Sequence, residues 1–130
     1  MKLIKIIIER SKDAFWGYAE NVEGVSGVGN TVAEVKESVL KSIEIVKSFE
    51  KQTPAILKGE YAINYYYDVE SFLNFYKKIF NNAALERITG INQKQLHHYA
   101  TGIKKPRPAQ KQKIETGLHN LANELLAIHL

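Results

Sequence analysis

The sequence predicts an α+β fold: a small sheet with one packed helix over residues 1–67, then an all-helical segment over residues 68–130. Three observations predict it. Short β-branched and aromatic stretches fill residues 2–9, 14–20 and 61–67. One capped amphipathic stripe lies among them. After Asp68 the large apolar residues recur at helical spacing.

The elements follow in order. Residues 2–9 are β-branched and apolar and read as a strand buried on much of both faces. Ala14-Phe15-Trp16-Gly17-Tyr18-Ala19-Glu20 follows the polar stretch Ser11-Lys12-Asp13, which predicts a hairpin. Val22 to Asn30 holds three glycines and predicts a tight loop. No Gly-Lys-Ser/Thr follows, so a nucleotide P-loop is excluded. Thr31-Val32-Ala33-Glu34 is a capping box, with the Glu34 carboxylate expected on the Thr31 N–H. The helix behind it carries Val32, Val35, Val39, Ile43, Val46 and Phe49 on one stripe, against Lys36, Glu37, Lys41, Glu44 and Lys47. Pro54 ends the region. Tyr61, Ile63, Tyr65 and Tyr67 then share one face of a strand. Asp68 is the expected N-cap of a helix bearing Phe72, Phe75, Tyr76, Ile79 and Phe80. Asn81-Asn82 punctuates, and a Lys-Lys-Pro-Arg-Pro break precedes a long final helix.

The chain has 130 residues, no cysteine and an excess of 4 positive charges. Without cysteine there is neither a disulfide framework nor a thiolate metal site. No apolar run exceeds four residues, far short of the roughly 20 residues that span a membrane. Residues 1–10 faintly suggest a signal peptide, but Lys5 and Glu9-Arg10 interrupt it, and the expectation is a strand of a cytoplasmic protein. Residues 1–60 balance nine basic against nine acidic side chains. From Arg87 to Lys113 there are seven basic residues and no acidic one. Such a stretch is either a solvated charged face or the footprint of a phosphate-backbone contact.

The residues inside that stretch favour the contact. In Leu85 to Gly102, Gly90 permits a sharp bend between two short helices, and Leu85, Ile88, Ile91 and Leu96 are the expected small core. Asn92 is the expected N-cap of the second helix, and Gly102 its left-handed end. Gln93, Lys94, His97 and His98 then project outward. Glutamine suits adenine and lysine suits guanine, so this helix fits a major groove. Lys104, Lys105 and Arg107 would lie on flanking phosphates. For His97 and His98 a base or phosphate contact and a plain surface position are both open.

Residues 85–108 resemble the Cro/C1-type (XRE) helix-turn-helix through Leu85, Gly90-Ile91-Asn92, Leu96, Gly102 and Lys104-Lys105-Pro106. Glu86 stands where that pattern usually has alanine, so the first helix is expected to tilt or the register to shift by one. Residues 2–50 resemble HicB-type antitoxins through Trp16-Gly17-Tyr18-Ala19-Glu20, Val22-Glu23-Gly24-Val25, Val28-Gly29-Asn30-Thr31 and Glu34-Val35. That resemblance implies a degraded RNase H-like sheet and an antitoxin of a type II toxin–antitoxin system. Such a protein neutralises a HicA-like mRNA-cleaving toxin and represses its own operon by binding double-stranded operator DNA. Trp16, Tyr18, Glu20 and Glu23 are the candidate toxin-binding residues, by charge complementarity to a basic partner, although the two aromatics also fit a core. The alternative is a stand-alone repressor whose first half dimerises or senses a ligand.

Catalysis is not expected. RNase H chemistry needs several carboxylates converging on two divalent ions, and only Glu9 sits at a predicted strand end. The histidines at 97, 98, 119 and 129 have no metal-site spacing, so no metal or cofactor is implied. The final helix bears Ile114, Leu118, Leu121, Leu125 and Ile128 at heptad-like spacing. That stripe is expected either to pack on the preceding helices or to form a homodimer or higher homo-oligomer.

Overall fold

A computed structural model describes residues 1–130 and divides them into two compact units, Met1–Asp68 and Val69–Leu130. The architecture is α+β, with four strands and five helices. No helix is long and apolar enough to cross a membrane.

In the first unit, strands β1 (Lys2–Arg10), β2 (Phe15–Ala19) and β3 (Ser26–Gly29) form an antiparallel meander. Helix α1 (Val32–Ser48) follows, and β4 (Tyr61–Tyr67) returns parallel to β1, giving the order β3-β2-β1-β4. The register sets Ile7 between Tyr18 and Tyr66. The pleat then sorts the residues by face. Ile4, Ile6, Ile8 and Phe15 are buried with Val35, Val39 and Ile43 of α1, and Tyr61, Ile63, Tyr65 and Tyr67 pack at the margin of that core. β1 therefore buries one face and not both: Leu3 is exposed and Ile7 half-buried.

The glycine-rich segment is also not simply a loop. Only Gly24 in it has a positive φ, of 83°. Gly27 sits within β3, and a Cβ there would stand 2.7 Å from the Val39 nitrogen and 2.9 Å from the Val35 carbonyl oxygen. Glycine is present because α1 lies against the strand, not because a turn needs it. The outer edge of β3 is closed by α1 as well. Ser38 Oγ accepts from the Val28 N–H at 3.1 Å, and Ser42 Oγ from the Ser26 N–H at 3.1 Å.

The α1 cap forms as a box shifted by one residue. Thr31 Oγ1 accepts from the Glu34 N–H at 3.1 Å, but the Glu34 carboxylate reaches the Asn30 N–H, at 2.6 Å, and not that of Thr31. Two 3₁₀ turns, Glu50–Gln52 and Ala55–Leu57, carry the chain past Pro54 to β4.

The second unit is helical: α2 (Val69–Tyr76), α3 (Asn82–Thr89), α4 (Gln93–Thr101) and α5 (Pro108–Leu126). Its core is Leu73, Leu85, Ile91, Leu96, Tyr99 and Ile114. The aromatic series of α2 packs less than its spacing predicts. Leu73 is the buried anchor, while Phe75 is exposed and Ile79 lies beyond the helix and exposed. On α5, Ile114 is buried and Leu118 packs against the core, but Leu125 and Ile128 are more than half exposed and Ile128 lies past the helix end.

Candidate functional site

The turn between α3 and α4 is built by local chemistry. Asn81 caps α3, its Oδ1 accepting from the Ala84 N–H at 2.8 Å. The helix ends at Gly90, whose φ of 75° lies in the left-handed region that a side chain would strain. Thr89 is buried and holds the turn from inside: its hydroxyl donates to Leu85 O at 2.7 Å and accepts from the Ile91 N–H at 3.1 Å. Asn92 caps α4 by accepting from the Gln95 N–H at 2.8 Å. Leu85, Ile91 and Leu96 are buried as expected, Ile88 only half so. Gly102 ends α4 with a φ of 80°. Asn74 of α2 clasps that end, donating to Ala100 O at 2.7 Å.

Asn92, Gln93, Lys94 and His97 are exposed at and after the start of α4. Lys104, Lys105 and Arg107 are exposed in the loop that follows it, with Arg107 at the N-cap of α5 and Pro108 in its first turn. His98 stands apart from this group: it is half-buried and its Nδ1 is enclosed without a hydrogen-bond partner. Glu86 lies on α3, four residues before Gly90. Its carboxylate crosses the turn to the first residue of α4, accepting from the Gln93 N–H at 3.3 Å and from Gln93 Nε2 at 3.4 Å. In the sequence Glu86 stands out only as a departure from the helix-turn-helix pattern. The available signal was an acid placed to meet the unpaired N–H groups that open any helix.

The second candidate surface is the face of the sheet opposite α1. Trp16 is 50% exposed and Tyr18 41% exposed, so neither is a core residue. Val28 stands beside Trp16 and Tyr66 lies across Ile7 from Tyr18, both exposed, with Leu3 exposed on the same face. Polar contacts fix the aromatics in place. Trp16 Nε1 donates to Ser11 Oγ at 3.1 Å, and Tyr18 Oη donates to Glu9 Oε1 at 3.2 Å. Desolvation, the Glu9 charge and that hydrogen bond together hold the Tyr18 phenol above its ordinary pKa. Glu20 is paired with Lys5 at 2.9 Å. Its hydrogen bond and charge raise the lysine. Glu23 is exposed in the turn between β2 and β3, outside the strands. Contiguous exposed apolar residues rimmed by charge are the usual mark of an interaction surface.

No group of three or more His, Cys, Asp or Glu side chains is arranged to hold a metal ion. The chain matches no protein-family model, no curated protein and no solved structure.

Proposed function

We propose that the chain is a HicB-type antitoxin and autorepressor. In this reading α3 and α4 form a Cro/C1-type helix-turn-helix that binds double-stranded operator DNA. The first unit, a small RNase H-like sheet without catalysis, masks a HicA-like mRNA-cleaving toxin by steric and electrostatic occlusion. The protein works in the cytoplasm as a homodimer or larger homo-oligomer, without metal or cofactor.

The observation that carries the DNA reading is the start of α4. Exposed Asn92 closes a three-residue turn, exposed Gln93, Lys94 and His97 follow it, and exposed Lys104, Lys105 and Arg107 flank them. Polar ends reach base edges and cations reach phosphates. The strand order supports the sheet assignment, and the open aromatic face beside Glu9 and Glu20 supports a docking role.

Two variants separate the contacts. Lys105→Ala should weaken binding to every sequence and flatten the salt dependence by about one unit. Gln93→Ala should cost roughly 1–3 kcal/mol on the preferred sequence and almost nothing on random DNA. Fluorescence anisotropy over a salt series checks both, and equal losses on random DNA would sink the groove assignment.

The toxin reading is tested by co-expression with the product of the adjacent open reading frame. A small basic protein should co-purify with the wild type. It should be lost in the double variant Trp16→Ala/Tyr18→Ala, whose DNA affinity stays unchanged. Failure of the wild-type products to associate would favour the stand-alone repressor.

A further inference from the structure

We propose that Glu86 is a positioning residue that fixes which way the Gln93 side-chain amide faces, and so makes it a reader of adenine rather than guanine. The proposal rests on the DNA-binding reading of α4.

The geometry is a two-point clamp. One carboxylate takes the backbone N–H and the side-chain Nε2 of the same glutamine, at 3.3 Å and 3.4 Å, from a position seven residues earlier and across the turn. Both contacts are long for neutral partners, but the acceptor is an anion and sits at the positive end of α4. An amide has two ends that are nearly equal in shape. It can offer NH₂ or oxygen to a given neighbour. Beside a carboxylate they are not equal, because turning the Gln93 oxygen toward Glu86 would oppose two acceptors, one of them charged. The clamp therefore holds Nε2 inward.

That choice has a consequence at the far side of the amide. One N–H is committed to Glu86, which leaves one N–H and the oxygen for a ligand. Adenine presents one acceptor and one donor in the major groove, N7 and the N6 amino group, and matches this pair. Guanine presents two acceptors, N7 and O6, and would need both N–H groups of a free amide. Glu86 removes that option.

Glu86→Gln tests this. The variant keeps the length of the side chain and its ability to accept from Nε2. As a neutral amide it also donates, so either orientation of Gln93 becomes acceptable. The probe is a pool of DNA duplexes carrying a randomised segment, bound by the full-length protein, with the selected duplexes sequenced. The readout is the adenine-to-guanine ratio at the one base pair whose preference disappears in Gln93→Ala. This ratio is insensitive to the folded fraction, because unfolded chain enriches neither base.

The wild type should favour adenine there by about tenfold, within the range a bidentate contact supplies. Glu86→Gln should reduce the ratio roughly fivefold or more, and Glu86→Ala should do the same. Both should also raise affinity for random-sequence DNA, since a negative charge has left a phosphate-facing surface. An undiminished ratio in Glu86→Gln would overturn the clamp and leave the helix-turn-helix reading standing. So would a wild-type preference for guanine at that pair, or a set of preferences that Gln93→Ala does not alter. A wild type that enriches no sequence would overturn the DNA-binding reading itself, and the clamp with it.

Discussion

Replacing Gly117 by alanine should loosen the helical unit severely. In the full-length chain, amide hydrogen exchange across α3 and α5 should accelerate by a factor of roughly 30, which corresponds to about 2 kcal/mol. The reason is backbone against backbone. A Cβ at Gly117 would fall on the carbonyl oxygen of Ile88, 2.9 Å from its carbonyl carbon and 3.1 Å from the Cα of Thr89. A flexible side chain could rotate away from such a conflict, but a helix end cannot. Overpacking of this kind typically costs about 1–3 kcal/mol, and more where the obstacle is main chain. Alanine gains only about 1 kcal/mol in helix propensity over glycine, so the conflict wins. Gly90→Ala is the useful comparison. It strains a φ of 75° but meets nothing within 4 Å, and should cost about 1 kcal/mol. Protection in Gly117→Ala equal to that of the wild type would mean that α5 does not lie on α3 as described.

Removing Lys104, Lys105 and Arg107 together should have the largest effect on nucleic acid. Each cation released from a phosphate contact changes the slope of log affinity against log salt by about 0.9. Three should flatten it by about 2.7, and at 0.1 M salt the affinity for random-sequence duplex should fall about 10²- to 10³-fold. Since all three side chains are exposed, thermal stability should stay near that of the parent. A slope unchanged in the triple variant would move the phosphate contacts away from this loop. The four remaining cations of the run, Arg87, Lys94, Lys111 and Lys113, would then be the next to test.

What the sequence made legible was local. Thr31, Asn92 and Gly102 act through hydrogen bonds or backbone angles within a few residues, and each does its expected job. The stripe of α1 from Val32 to Val46 and the shared face of β4 follow from period alone, whereas Phe49, the last residue of that stripe, is the exposed C-cap of α1. What stayed hidden depended on partners far along the chain. β3 reads as loop in the sequence because its glycines answer to α1, not to a turn. A sign of it was present: Ser38 and Ser42 lie four apart on α1, beside Val35 and Val39, and they serve the edge of β3. The stripe of α5 looked uniform in sequence, yet only its first half finds a core. At the candidate interface the outward residues were readable, but the tie between Glu86 and Gln93 was not. It needs the turn to be folded before the two side chains are neighbours.

The pairing of β1 with β4 has a consequence for how the sheet is completed. Lys2 to Ile8 line up with Tyr61 to Tyr67, so the longest strand gains its second neighbour only from the last part of the unit. Until Tyr61 has been synthesised, one whole flank of β1 offers unsatisfied amides to any extended peptide, including a sister nascent chain. Fragments ending before that tyrosine should therefore clump through Leu3–Ile8. Lys5 is the only charge within that segment to discourage it.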